Sequence, residues 1–170
     1  MALWGGRFAS GPADAVAALS RSVQFDWRLA PYDVRVNIAH VNGLVDSKTI
    51  SDSDGKKIIA ALKELFSEIA AGTFSYNSTD EDVHSAIERG LVEKLGALGG
   101  AFRAGRSRND LVVTDFKLYL IDHILEVADS LTSLVTALNK VAANHAGSIA
   151  PGFTHLQHAQ PINFGHEIAK

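Results

Sequence analysis

The chain has 170 residues, enough for one ordinary domain or for a domain and part of another. Hydrophobic residues make up 46% and the mean hydropathy is +0.07, which excludes a disordered chain. A net charge of −3 and a pI near 6.1 argue against general nucleic-acid or membrane-surface binding, and the lack of cysteine excludes disulfides, thiolate catalysis and a Cys-based zinc site.

The first residues, Met1 to Phe8, show no charged stretch followed by an apolar one, so no signal peptide is expected. No window carries the ~18 or more consecutive apolar residues of a membrane span. A cytoplasmic protein is expected. A short helical patch follows at Ala13–Leu19. Pro31 and Asp33 then mark a helix start, with Pro at the first helical position and an acid in the first turn, and that helix runs to about Val45. Ser51 with Asp52 and Asp54 marks a second start. Its apolar set is Ile58, Leu62, Leu65, Phe66 and Ile69, and Gly72 is its stop. A third helix is expected from Thr79, where Thr79-Asp80-Glu81-Asp82 resembles a capping box with Asp in place of Glu. Val83, Ile87, Leu91 and Leu95 form its apolar face, and Gly96, Gly99 and Gly100 break the chain after it.

Gly105-Arg106-Ser107-Arg108-Asn109-Asp110 comes next. Two guanidinium groups, a hydroxyl and an amide sit in a Gly-led loop ahead of the longest apolar-periodic segment, about Asn109 to Ala146, which has neither Pro nor Gly. A helix N-terminus with its free N–H groups favours an anion, and Arg holds a carboxylate by two parallel bonds. A site for a carboxylate-bearing small molecule is therefore expected here. The long segment repeats Ile121, Ile124, Ala128, Leu131, Val135, Leu138 and Ala142 at alternating steps of three and four, a heptad-like seam. Leu118, Leu125, Val127, Leu134 and Val141 add a second apolar face, so several other helices must enclose it. At ~1.5 Å per residue it spans roughly 55 Å, too long for this chain to cover alone. Truncation, assembly with partner chains, or both are implied.

A second polar cluster, Gly152 to Gln160, lies between Pro151 and Pro161 and reads as a loop. Imidazoles titrate near neutrality, so His155 or His158 could move protons, or the histidines could simply sit on a surface connection. His155 and His158 stand three apart with His145 and His166 nearby, but no carboxylate sits at H-E-x-x-H spacing, and no metal is expected. Asp82 and His84 are weaker candidates, a cap acid and a half-exposed imidazole in the plainer reading. Ser22 lies in a short polar run.

Together, Leu3-Trp4-Gly5-Gly6-Arg7-Phe8, Asp80-Glu81-Asp82-Val83-His84, Gly105-Arg106-Ser107-Arg108-Asn109-Asp110 and Pro151-Gly152-Phe153-Thr154-His155-Leu156-Gln157 resemble the argininosuccinate lyase family, in order and over the whole chain. The opening motif separates that family from fumarases, aspartases, adenylosuccinate lyases and cycloisomerases. The resemblance implies an all-α fold. A small N-terminal helical domain, residues 1–108, precedes the start of a fumarase/aspartase-type central bundle of long helices, residues 109–170. It also implies a homotetramer with sites built from three chains, and reversible cleavage of argininosuccinate to arginine and fumarate, in arginine biosynthesis or the urea cycle. No organic cofactor is implied. Position by position, Ser22, Ser107, Arg108, Asn109 and Thr154 resemble substrate-binding residues, His155 the catalytic acid or base, and Asp82 and His84 residues lining the site. Two departures stand out: Arg103-Ala104 where the family often has His-Thr, and His158 where Arg is frequent. The family's downstream Gly-Ser-Ser-x-Met-Pro-x-Lys-x-Asn loop, with the partner acid–base serine, is not matched, so the chain resembles an N-terminal portion that is inactive by itself. Lens delta-crystallins share the pattern, which leaves a non-catalytic structural protein as the alternative. A sister lyase acting on another succinyl adduct is a third reading.

Overall fold

Helix signals in the first half translate almost directly into structure. The computed structural model describes residues 13–170, so the Leu3–Phe8 motif lies outside the described residues. Two units are formed, the first described from residue 13 to Tyr119 and the second from Leu120 to Lys170.

The first unit opens with α1 (Asp14–Ser20), α2 (Val23–Asp26) and a 3-10 turn (Trp27–Leu29), which leads straight into α3 (Ala30–Asp46) with Pro31 in its first turn. α4 (Asp52–Ala71) starts where Ser51 accepts the Asp54 N–H at 3.0 Å and stops at Gly72, whose φ of 71° lies in the left-handed region that glycine enters without strain. α5 (Val83–Leu95) takes its cap three residues later than the expected Thr79. Asp82 is its cap, accepting the Ser85 N–H at 2.8 Å, while Ser85 Oγ accepts the Asp82 N–H at 3.0 Å. The shift has a cause upstream: Asp80 accepts the Asn77 N–H at 2.8 Å and pairs with Arg89, and Asn77 Oδ1 accepts the Thr79 N–H, which closes a turn over 77–80.

α3, α4 and α5 enclose one core of Val34, Val41, Ile58, Leu62, Leu65, Val83, Ile87 and Leu91, with Ile69 and Leu95 packed at its edge. Phe66 does not join it and is 42% exposed. A 3-10 segment (Gly96–Arg103) folds back so that Phe102 caps the core. That return needs close backbone approach, because a Cβ on Gly99 would lie 2.4 Å from the Leu91 carbonyl oxygen, whereas Gly100 faces open space. Gly99→Ala is expected to cost about 1–3 kcal/mol, a typical overpacking penalty. Gly100→Ala is the control, and denaturant titration of the two variants measures the difference.

α6 (Arg108–Asn144) is the long helix expected from the pattern. Beyond its first turns its apolar residues are open within one chain: Ile121, Ile124, Leu125, Leu131, Leu134 and Val135 are each more than half exposed. In the second unit the end of α6 is followed by β1 (Ile149–Thr154), β2 (Gln157–Asn163) and α7 (Phe164–Ala169). The Pro151–Pro161 segment is thus an antiparallel hairpin rather than a loop, pairing Ile149 with Asn163 and Thr154 with Gln157, with an irregularity at Gly152. The two prolines face each other across the pair. α7 seats on the α6 end, with Gly165 N–H donating to the His145 carbonyl at 3.2 Å. Among the described residues the fold is all-α apart from this two-stranded sheet. No described helix is long and apolar enough to cross a membrane.

Candidate active site

The start of α6 is built by three local devices. Gly105 turns the chain at φ 66°, Ser107 Oγ accepts the Asn109 N–H at 3.2 Å, and the helix begins at Arg108. Arg108 Nη1 donates to Asp82 Oδ2 at 2.7 Å, so the α6 start meets the α5 cap. The pair is only partly buried, with Arg108 27% and Asp82 16% exposed, which leaves the rest of the guanidinium fork open for a ligand. Asn109 and Ser107 are exposed beside it.

The second guanidinium goes elsewhere. Arg106 turns inward, lies over the Phe102 ring and donates from Nη2 to Asn37 Oδ1 at 2.5 Å, while Nη1 is buried without a hydrogen-bond partner among the described residues. Burial pulls its pKa below the ordinary arginine value. The sequence puts both arginines in one cluster; the structure sets Arg108 at a rim and Arg106 beneath it. Both line one small pocket with His84, Glu88, Arg103 and Ser107. Arg103 is tied there by Glu88, at 2.8 Å.

His84 is a correction to its half-exposed reading. It is 6% exposed, and its Nδ1 bonds Asp33 Oδ2 in a short contact, with Asp115 Oδ2 at 3.7 Å. Asp33 also accepts from Asn37 Nδ2 at 2.5 Å. Asp33, Asn37, Asp115 and Arg106 therefore form a buried polar layer beneath the rim. Sequence reasoning missed Asp33, Asn37 and Asp115, and the available signal was three polar residues on otherwise inward helix faces. Burial and the Asp33 carboxylate push the Asp115 carboxyl up to about 9, against the opposing pull of Arg106. Asp33, His84 and Asp115 each offer an atom within 4.8 Å of the others, the spacing of a metal ligand set. The short His84–Asp33 contact is that of a hydrogen bond already made.

Ser22 joins the same unit. Its Oγ donates to Asp26 Oδ2 at 2.6 Å, its N–H donates to the Glu81 carbonyl at 2.8 Å, and Asp26 Oδ1 accepts the Val83 N–H at 3.0 Å. Asp26 thus clamps Ser22 to the α5 start beside Asp82. Desolvation of Asp26 raises its pKa, partly offset by the Ser22 hydroxyl.

In the second unit, Thr154 and His155 stand at the hairpin tip. His155 and Leu156 are the two-residue loop, with φ of 51° and 62°. Positive φ at both positions is the primed hairpin turn, usually built from Asn and Gly. A His and a Leu held there are strained, a condition found preferentially at functional positions. Both side chains are exposed, Leu156 at 95%. His158 packs its ring on Phe153 with centroids 4.8 Å apart.

The helical scaffold gathers Arg108, Ser107, Asp82, His84 and Ser22 at helix starts in the first unit. The chain belongs to the lyase family, matched over residues 6–170. It is 55% identical to an argininosuccinate lyase of Frankia casuarinae over 168 residues, 99% of this chain and 36% of that protein. It is 51% identical to argininosuccinate lyases of Acidothermus cellulolyticus and Nocardia farcinica, each over 98% of this chain. The chain spans about a third of the length of these relatives. Among solved structures, an EDDS lyase in complex with formate matches with a TM-score of 0.66 at 24% identity, covering 94% of this chain and 32% of that one. A variant of that enzyme with bound fumarate matches equally.

Proposed function

We propose that this chain is the N-terminal part of an argininosuccinate lyase, with residues 1–108 as its small helical domain and 109–170 as the start of its central bundle. The observation that carries the reading is the joining of the α6 start to the α5 cap through Arg108 and Asp82, in a chain half identical to argininosuccinate lyases along its length.

The reaction removes a proton from the carbon beside a carboxylate and breaks the bond from the adjacent carbon to the guanidino nitrogen. The electron pair of the C–H bond becomes the double bond of fumarate, and the nitrogen leaves with the C–N pair, takes up a proton and departs as arginine. Negative charge builds on the carboxylate in the transition state. Arg108, Ser107, Asn109 and the open N–H groups of α6 would hold that charge, where fixed donors stabilise it more than water does. Ser22 and Thr154 would bind the rest of the substrate. His155 would act as proton carrier, with its partner acid–base group from a segment outside this chain. No metal or cofactor enters these steps. Asp82 would hold Arg108 in place before substrate arrives, and His84 would line the floor.

The open apolar faces of α6 support assembly into a homotetramer around those helices, since faces of that size are otherwise an aggregation liability. The same reading includes a cytoplasmic setting and a place in arginine synthesis or the urea cycle. The test is ultraviolet detection of fumarate from the whole protein supplied in turn with argininosuccinate, adenylosuccinate, malate and aspartate. Argininosuccinate alone is expected to be turned over, and the 170-residue chain by itself is expected to give no fumarate above a His155→Ala control. Fumarate from a different substrate would replace the specific reading with a sister lyase.

A further inference from the structure

The layer beneath the rim contains a carboxyl group that no donor reaches among the described residues. Asp115 is fully buried, and neither of its oxygens has a hydrogen-bond partner among the described residues. A buried carboxylate ion with no donor is strongly disfavoured, and two carboxylates in one site retain a proton. We infer that Asp33 and Asp115 work as a buried carboxyl pair holding one proton in common, and that this pair positions the His84 ring at the pocket above.

The groups around the pair fit. From α3 come Asp33 and Asn37, from α5 His84, from α6 Asp115 and Asp110, and from the segment before α6 Arg106, with Arg103 acting on Arg106. With Asp115 protonated, its O–H donates to Asp33. Asp33 then accepts from Asp115, from Asn37 Nδ2 and from His84 Nδ1, three of its about four acceptor sites. His84 thereby carries a hydrogen on Nδ1 toward Asp33, and its ring lines the pocket that Arg106, Ser107 and Arg108 share. One negative charge on the pair balances the buried Arg106. A divalent cation on the same three side chains would instead require both acids ionised and the His84–Asp33 hydrogen bond broken.

The pair itself is a statement about folding, and its role toward the pocket rests on the site reading proposed above. Thermal unfolding of the whole protein separates the two. Wild-type Asp115 holds a proton in the folded state that the unfolded chain releases near its ordinary carboxyl value, so the folded state loses stability as pH rises from about 4 to about 9. Asp115→Asn keeps the shape of the protonated acid and removes that loss. Its melting temperature is expected to fall by several degrees less than wild type over this range. Parallel curves would overturn the pair even if argininosuccinate were turned over, and divergent curves uphold it even if it were not. One tightly held divalent ion per chain by elemental analysis would also overturn it. For the positioning role, Asp33→Asn is expected to lower kcat at least ~10-fold with KM within ~3-fold, the mark of a misoriented site group rather than lost binding. An unchanged kcat would remove His84 positioning from the account.

Discussion

Replacing His155 by Asn in the whole protein is expected to lower kcat by at least ~10²-fold, the usual yield of one positioned proton-transfer group. Asn keeps polarity and much of the volume, and it tolerates positive φ better than most residues, so the strained tip at φ 51° is preserved. The loss is therefore assigned to the imidazole and not to the hairpin. Stopped-time fumarate release measures it. A rate near wild type would take His155 out of the chemistry and leave it a turn residue.

Arg108→Lys is expected to lower kcat/KM by ~10-fold or more, although charge is kept. One nitrogen of the fork is already engaged by Asp82 at 2.7 Å. A lysine ammonium can satisfy Asp82 or a substrate carboxylate as a point charge, but it cannot hold both through a rigid plane. Losing a charge-assisted hydrogen bond of about 1.5–3 kcal/mol corresponds to that range. If the anion is held by Arg108 chiefly as charge builds, kcat falls more than KM rises. Unchanged kcat/KM would show that the carboxylate is held elsewhere.

Much of the helical framework was legible because its signals are local. Ser51 and Gly72 bracket α4 through one side-chain cap and one positive φ, and the α6 pattern is long enough that no other reading competes. The α5 cap moved from Thr79 to Asp82 because Asn77 and Asp80 close their own turn, a competition between two good caps that spacing does not resolve. The hairpin was hidden for a different reason. It buries almost nothing within the chain, so its strands carry no apolar alternation, and its turn is made by His155 and Leu156 in place of Asn and Gly.

Site residues divide in the same way. Arg108, Ser107, Asn109 and Asp82 are visible as helix-start chemistry, and Asp82 proves to be both cap and ion-pair partner. Arg106 has the same local appearance but is drawn inward by Asn37, which lies 69 residues away in sequence. Asp33 looks like an ordinary first-turn acid on α3, and only packing against α5 and α6 brings it to His84 and Asp115. Such clusters are assembled only in tertiary structure, and the sequence shows no more than polar residues on otherwise inward helix faces.

The most direct test of the whole account is a crystal structure of the assembled protein with fumarate bound. A carboxylate is expected within about 3 Å of the Arg108 guanidinium, the distance of a charge-assisted hydrogen bond, with a His155 ring from some copy of the chain bordering the same cavity. Fumarate bound away from every Arg108, or an assembly in which no His155 reaches that cavity, would contradict it.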